Sequence, residues 1–165
     1  MQTKKQMPNI SLSEFQDIKT KRDQDVKDVA FYAQELCHRL VCQMTDYKVN
    51  MLTKNSIRFS QGDSVLGKRD DLSDYAKEQL KEIEVNGIED KFTLKNGRKY
   101  IKLIHSDRGG HGSVHAFIDK VTGDVYKPAS WNKPATHVRY NLLNEDSRRE
   151  CFARADWAGG YLYMR

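Results

Sequence analysis

The sequence predicts an α+β fold, with two main N-terminal helices packed on one face of a C-terminal antiparallel β-meander. Two observations predict it: a helical apolar repeat in the first part of the chain, and short alternating segments with turn signals in the last part. Such a sheet carries helices on one face and meets water on the other. We expect a single domain over residues 1–165, with a mainly helical part over 1–90 and a basic β-rich part over 91–165.

The strongest periodic segment predicts a helix near residues 24–45. Its apolar residues recur at steps of three and four, so they lie along one helix face, which we interpret as core. Ser11 and Glu14 have capping-box spacing, so a helix is expected to begin at Leu12. The apolar stripe consists of Val26, Val29, Ala33, Leu36, Cys37, Leu40, Val41 and Met44.

The segment after this helix predicts a short hairpin, a loop and a second helix. Residues 49–51 and 57–59 alternate apolar with polar side chains around a turn-like run, which is typical of a hairpin. Residues 60–71 are rich in Gly, Asp and Ser and predict a loop. A second amphipathic helix follows from Leu72 and ends near Asn86–Gly87, because Gly commonly follows a last helical turn.

The last part of the chain predicts strands. Asn96–Gly97 is the strongest short hairpin signal in the sequence. A short helix is expected to begin at Asp146 or Ser147, and residues 161–163 close the chain as an edge strand or a packed tail. The expected strands run over 92–94, 98–104, 113–119, 125–127 and 137–143.

Charge and aromatic residues are concentrated in the second part. The chain has a net charge of +5, but residues 1–90 hold 14 basic and 16 acidic residues, whereas residues 91–165 hold 14 basic and seven acidic ones. The second part also holds ten of the 16 aromatic residues and four of the five histidines. This asymmetry indicates a nucleic-acid backbone or an acidic surface as partner. A small basic domain that is merely soluble would show the same balance.

Two features bear on location. No apolar run approaches the about 20 residues of a membrane span, so we expect no membrane-spanning segment, and the first residues do not resemble a secretory signal. Cys37, Cys42 and Cys151 are an odd number without metal-binding spacing, which indicates reduced thiols in a cytosolic setting.

A basic and aromatic surface is the main candidate site. Aromatic rings stack on bases while Lys and Arg follow the phosphates, a combination that suits single-stranded DNA or RNA. Strand aromatics also commonly belong to a core. The candidate residues are Arg98, Lys99, Tyr100, Lys102, Arg108, Tyr126, Lys127, Trp131, Lys133, Arg139 and Tyr140.

Other candidate chemistry is weaker. One weaker candidate is a glycine-dense segment, made up of Gly109, Gly110, His111 and Gly112. Its backbone N–H groups can converge on a phosphate, although a mobile hairpin tip explains the segment as well.

The histidines and Cys151 offer other chemistry. The spacing of the histidines matches no zinc-ligand pattern, so we expect no metal and assign no cofactor; they are His105, His111, His115 and His137. A phosphodiesterase would use His111 or His115 as acid or base, but a second His-x-Ser segment is missing. Cys151 lies among arginines, which would lower a thiol pKa, yet it has no histidine partner.

A resemblance adds an expected origin. The string GDVYKPASW (residues 123–131) and the terminal DWAGGYLY (residues 156–163) resemble a block in small uncharacterised proteins of tailed bacteriophages, over about residues 91–165. The resemblance implies a phage product made in the cytoplasm of a bacterial host, with the virion as a second location. It carries over no catalytic residue, cofactor or fold.

Three functions follow from these observations. The first is a phage accessory protein that binds single-stranded nucleic acid. The second is a protein that binds a host protein, as an inhibitor of defence or transcription, or that belongs to the virion. The third is a small histidine-dependent phosphodiesterase. We favour the first, without assigning an enzymatic activity.

Overall fold

The computed structural model describes residues 10–60 and 72–163. These residues form an α+β fold, as predicted, and the five strands make one antiparallel sheet in the order β1-β2-β3-β4-β5. The elements are α1 (Leu12–Ser60), α2 (Asp74–Asn86), β1 (Lys91–Asn96), β2 (Tyr100–Ser106), β3 (Gly112–Asp119), β4 (Asp124–Pro128), β5 (Pro134–Asn141), α3 (Glu145–Arg154) and a 3-10 turn (Gly160–Leu162).

Helix α1 begins at the predicted capping box. The backbone N–H of Ser11 donates to Glu14 Oε2 at 2.8 Å, and the N–H of Glu14 donates to Ser11 Oγ at 3.3 Å. These two bonds satisfy donors that the first turn of a helix otherwise leaves free. Of the predicted stripe, Val29, Ala33, Leu36, Leu40 and Met44 are buried in the core.

The hairpin predicted over residues 49–59 is wrong, because α1 continues through it and reaches 49 residues in length. No Gly or Pro interrupts this segment. Val49 and Leu52 are one helical turn apart and pack against the apolar side of α2. This tertiary contact favours a helix where local alternation alone suggested strands. Of the predicted loop over 60–71, residues 61–71 lie outside the described residues.

Helix α2 matches its predicted limits. Ser73 caps it by accepting a hydrogen bond from the N–H of Ala76 at 3.2 Å, and Gly87, with φ of 76°, follows its last turn. Leu72, Ala76 and Leu80 form a small cluster with α1 that is separate from the main core. The described part of the chain has no helix long and apolar enough to cross a membrane.

The sheet has an inner face, which α1 covers, and an outer face. Inner-face side chains interlock with α1 to make the main core, which includes Ile101, Leu103, Ala116, Ile118 and Val125. Because side chains alternate along a strand, their neighbours point to the outer face. Among the described residues, no helix covers this outer face, as expected. Of the two N-terminal helices expected on the other face, α1 packs on the sheet and α2 packs mainly on α1.

Two β-bulges turn side chains towards the inner face. Leu103 pairs with Ala116 and Ile104 pairs with Val114, so His115 has no residue opposite it. In β5, Arg139 is passed over in the same way, because Val125 and Tyr126 of β4 pair with Tyr140 and Val138. A bulge inserts one extra residue and re-aims its side chain. His115 and Arg139 consequently contact the C-terminal 3-10 turn.

The end of the chain differs from the prediction in one detail and confirms one of two alternatives in another. Asn144 caps α3, not Asp146 or Ser147, because its side chain accepts a hydrogen bond from the N–H of Ser147 at 2.9 Å. Of the two alternatives for residues 161–163, the structure has the packed tail and not the edge strand. Tyr161 and Leu162 are buried in the 3-10 turn, and Tyr163 follows it.

Candidate nucleic-acid interface

The rings of Tyr100, Phe117 and Tyr126 meet on the outer face, and Lys102 links a fourth ring, that of Trp131, to them; we call these four residues the ring cluster. The Tyr100 ring lies 5.9 Å from that of Phe117 and 6.1 Å from that of Tyr126, in both cases edge to face. Phe117 is only 1% exposed, because its neighbours cover it, whereas Trp131 is 47% exposed. The cluster therefore has a buried centre and an accessible rim.

Lysines border the ring cluster. Lys102 Nζ lies 5.6 Å from the ring centre of Phe117 and 5.5 Å from that of Trp131, distances typical of cation–π contacts. The same ammonium donates to Trp131 O at 2.8 Å and to Asn132 Oδ1 at 3.1 Å. Lys102 thereby fixes the β4–β5 loop over the sheet.

Lys95 is a cation of this face that the sequence analysis missed. It is the direct cross-strand partner of Lys102, so both side chains leave the sheet on the same side. Like charges directly opposite each other destabilise a sheet, and no carboxylate forms an ion pair with either lysine within the described residues. The expected strand limits, which ended β1 at residue 94, had left Lys95 outside the sheet.

The other cations near this face differ in their partners. Arg98 is exposed in the β1–β2 turn, and no carboxylate pairs with it in the described part of the chain. Lys99 Nζ lies 5.0 Å from the ring centre of Tyr100 and 3.7 Å from Asp119 Oδ2. Asp119 is buried and also accepts bonds from the turn that follows β3. Asp119 therefore places a negative charge beside Lys99, and the surface is less basic there than at Lys95 and Lys102.

Four of the remaining predicted site residues lie elsewhere, and the fifth, Lys133, is in the same loop as Trp131. Lys127, Arg139 and Tyr140 are on the inner side: Lys127 Nζ stands 3.7 Å over the ring of Tyr163, Arg139 Nε donates to Leu162 O at 2.6 Å, and Tyr140 is buried. A buried ring cannot stack on a base. Arg108 forms an ion pair with Glu89 at 3.0 Å beyond β2, and Lys133 is exposed in the β4–β5 loop.

The glycine-dense segment forms the β2–β3 turn, and two of its backbone donors are already used. The N–H of Gly110 donates to Asp107 O at 3.0 Å, and the N–H of His111 donates to Asp107 Oδ1 at 2.9 Å. The Asp107 carboxylate therefore occupies the place that a phosphate would take. Gly109 lies in this turn, and Gly112 is the first residue of β3, opposite Ser106.

The histidines divide between two environments. His111 and His137 are exposed, whereas His105 and His115 flank the ring of Phe92 at 4.7 Å and 5.6 Å on the inner side. Among the described residues, no three metal-ligating side chains are grouped to hold an ion. A phosphodiesterase that uses His111 or His115 stays a prediction.

Asp90 orients the ring of His105, and burial lowers the pKa of His115. Asp90 Oδ1 lies 3.0 Å from His105 Nε2, and Asp90 Oδ2 accepts from Lys48 of α1. Burial opposes the charge on Asp90, but hydrogen bonds from Lys48 and His105 outweigh it and hold the pKa of Asp90 below its usual value. His115 Nε2 lies 3.1 Å from Tyr161 Oη, and burial lowers the pKa of His115 to about 4.

The thiol of Cys151 is not activated. The side chain is fully buried at the base of α3, and burial raises its pKa to about 12. The neighbouring arginines do not offset this burial. Arg149 pairs with Glu145 and Arg154 with Glu150 on the exposed side of the helix, and Arg148 donates to Leu142 O at 2.8 Å.

A family model matches residues 12–164 of the chain, and its description is a family of unknown function, DUF7717. No curated protein and no solved structure matches the chain. The match includes all the described helices and strands.

Proposed function

The chain belongs to the DUF7717 family of unknown function, and we propose that it binds single-stranded nucleic acid through the outer face of its sheet. The observation that carries the proposal is the placement of Lys95 directly opposite Lys102 beside the ring cluster. Two lysines in this arrangement repel each other in the free protein. A phosphate bound between the two ammonium groups attracts both of them and offsets their mutual repulsion.

The ring cluster supplies the second part of the recognition. Tyr126 and Tyr100 are half-buried and Trp131 is the most exposed ring, so each retains an accessible edge or face for an unpaired base. Base–aromatic stacking contributes about 1–3 kcal/mol per base and does not depend strongly on sequence. A duplex would hide its bases from these rings, which favours a single strand.

The charge of the β-rich part supports the same partner. Residues 91–165 hold 14 basic and seven acidic residues, and neither Lys95 on the outer face nor Arg98 in the adjoining β1–β2 turn has a carboxylate partner among the described residues. With Lys102, these side chains offer three phosphate contacts along the β1–β2 edge of the ring cluster. Because the number of contacts is small, we expect a modest dependence of the affinity on salt concentration.

A phage origin is part of the proposal. The string GDVYKPASW runs along β4 to Trp131, and DWAGGYLY contains the C-terminal 3-10 turn. Both strings resemble the block of tailed-phage proteins, and we infer that the protein acts in the cytoplasm of an infected bacterium. An accessory role in phage replication or expression fits a nucleic-acid partner.

A host or virion protein is the second candidate partner, on a different observation. The first turns of α1 extend beyond the core and leave Leu12, Phe15 and Ile18 more than half exposed. These residues recur at steps of three, so they line one side of the helix. An apolar stripe of this kind is typical of a surface that binds another protein.

Fluorescence anisotropy with a labelled single-stranded oligonucleotide tests the proposal. We expect a logarithmic salt slope of about −2 for three phosphate contacts, and Lys95→Gln reduces its magnitude by about 0.7. Lys81→Gln, on the exposed side of α2, is the matched control and leaves the slope unchanged. Absence of binding at low salt, for DNA and RNA alike, overturns the proposal and favours the protein partner.

A further inference from the structure

A small cavity lies on the inner side, between the β2–β3 end of the sheet and the C-terminal turn. Its volume is about 270 Å³, enough for a phosphate group with a small substituent. We call it the C-terminal cavity. Its polar lining consists of His105, Ser113, His115, Lys127 and Tyr163, and its apolar lining includes Pro128, Trp157 and Leu162.

The C-terminal cavity has cationic and neutral donors but no carboxylate in its lining. Three other cavities on the described part of the protein differ in this respect, because each is lined by at least two acidic side chains; the one beside β5 and α3, for example, has Glu150 and Asp156. Lys127 has no carboxylate partner among the described residues, because its ammonium stands over the Tyr163 ring. An anion is therefore the ligand that this lining favours.

Ser113 and His105 are held side by side at the cavity. They are direct cross-strand partners of β3 and β2, so their side chains leave the sheet in the same direction. His105 Nε2 faces Asp90, which leaves Nδ1 as the other ring nitrogen. The pair Lys48–Asp90 behind it fixes the ring orientation from α1. The Ser113 hydroxyl is exposed and makes no hydrogen bond with a described residue.

His115 adds a neutral ring to the same wall. The bulge directs it inwards, and its Nε2 is engaged by Tyr161 Oη, while Cε1 and Nδ1 face Gly159. A Cβ at position 159 would lie 3.6 Å from Cε1 of His115, so the absence of a side chain at Gly159 keeps this side of the cavity open. The backbone there has φ of 79°, which favours glycine.

We propose that the C-terminal cavity binds the phosphate of a phosphate monoester. Lys127 supplies the charge, Ser113 and His105 supply hydrogen bonds, and Trp157 with Leu162 contacts the substituent. The site is separate from the outer face and does not require that the protein binds a polynucleotide. The substituent is either the 5′ end of a nucleic acid or a small free molecule, since both present the same group.

Trp157 offers a direct reporter, because the chain has two tryptophans and the other one, Trp131, lies on the outer face. In Trp131→Phe, inorganic phosphate is titrated against sodium chloride of equal ionic strength. We expect a saturable change in Trp157 fluorescence with phosphate alone. Lys127→Gln weakens the affinity at least tenfold and Ser113→Ala severalfold, while the matched control Lys81→Gln leaves it unchanged.

Imidazole ¹⁵N shifts of the wild-type protein provide a second measurement that needs no variant. Phosphate is expected to change the ¹⁵N shifts of His105 and His115. The shifts of His38, which is exposed on α1, should stay unchanged. A response equal to that of chloride, or an affinity that Lys127→Gln leaves intact, overturns the proposal.

Two further ligands distinguish the sources of the phosphate group. Tighter binding of a 5′-phosphorylated than of a 5′-hydroxyl dinucleotide assigns the group to a nucleic-acid end; tighter binding of a small phosphate monoester assigns it to a free molecule. Either result supports the site.

Discussion

Lys95 lies directly opposite Lys102 across the β1–β2 pair, on the face of the sheet that no described helix covers. The ammonium of Lys102 also reaches over the Phe117 and Trp131 rings and donates to the carbonyl oxygen of Trp131. One side chain thus links the basic edge, the ring cluster and the β4–β5 loop. This relationship gives the outer face the combination of charge and flat apolar surface that a single strand requires.

Removal of one accessible ring should weaken nucleic-acid binding without unfolding the protein. Tyr126 is half-buried at the rim of the ring cluster. We expect Tyr126→Ala to lower the affinity for a single-stranded oligonucleotide by about 1–3 kcal/mol, whereas Tyr126→Phe retains it. Anisotropy measures the affinity, and circular dichroism checks the fold. Tyr75→Ala, on the exposed side of α2, is the control; an equal loss there would argue against stacking at Tyr126.

The buried carboxylate behind His105 should matter for stability. Asp90 is 9% exposed and is shared by His105 and Lys48, so Asp90→Asn leaves both partners without their negative charge. We expect the free energy of unfolding to fall by about 2 kcal/mol, less than for a fully buried pair because Lys48 is partly exposed. Urea denaturation measures this loss.

An exposed ion pair on α1 provides the comparison for Asp90. Arg39 Nε and Glu35 Oε1 are 2.9 Å apart at the surface. Glu35→Gln is expected to cost at most about 0.5 kcal/mol, since solvent screens the pair. Equal losses for the two variants would mean that Asp90 is not buried as described.

Acid should destabilise the protein through His115. Burial lowers its pKa from 6.5 to about 4, so between these values the unfolded chain takes up a proton that the folded chain excludes. The free energy of unfolding is therefore unaffected by this residue above about pH 6.5 and falls as the pH drops towards 4, by up to about 3 kcal/mol.

Urea denaturation at several pH values separates His115 from other groups. His115→Gln does not titrate, so its free energy of unfolding should depend less on pH over this range than that of the wild type. His137→Gln, at an exposed position, should keep the wild-type dependence. If His115→Gln kept it as well, His115 would not be the group that titrates.

The three cysteines should react with a thiol reagent at very different rates. Cys42 is exposed, Cys37 is half-buried with its Sγ donating to Phe92 O at 3.1 Å, and Cys151 is fully buried with a pKa of about 12. Since the thiolate is the reactive form, we expect Cys42 to react first, Cys37 more slowly and Cys151 only on unfolding. Mass spectrometry of timed samples identifies each site, and early labelling of Cys151 would contradict its burial.

Local patterns predicted most of the elements but not the ends and bulges of the strands. The capping box at Ser11 and the cap at Gly87 each involve contacts within a few residues, and the structure has them. The Asn96–Gly97 signal correctly predicts a hairpin but not its turn, because Asn96 still pairs with Ile101 in the sheet and residues 97–99 make the connection. The extension of α1 depends on α2, which is distant in sequence. No local signal reveals this contact.

Bulges, which no local pattern predicts, also decide which of the predicted residues reach the candidate site. Strict alternation would place Arg139 opposite in direction to Tyr140, yet the bulge turns Arg139 towards the C-terminal turn, where Leu162 O accepts its hydrogen bond. His115 is redirected in the same way. A bulge is decided by the packing on both sides of a strand, so the sequence alone did not predict the C-terminal cavity. The separation of Lys127 from Tyr126 needs no bulge, because adjacent residues of a strand point to opposite faces.

Amide chemical-shift mapping with a short single-stranded oligonucleotide at low salt tests the proposed interface most directly. We expect the largest shifts at Lys95, Tyr100 and Lys102, in β4 at Tyr126, and at the indole N–H of Trp131. Residues of α2 and α3 should stay unchanged. Shifts confined to the helices, or no shifts at saturating oligonucleotide, would show that the outer face of the sheet does not bind nucleic acid.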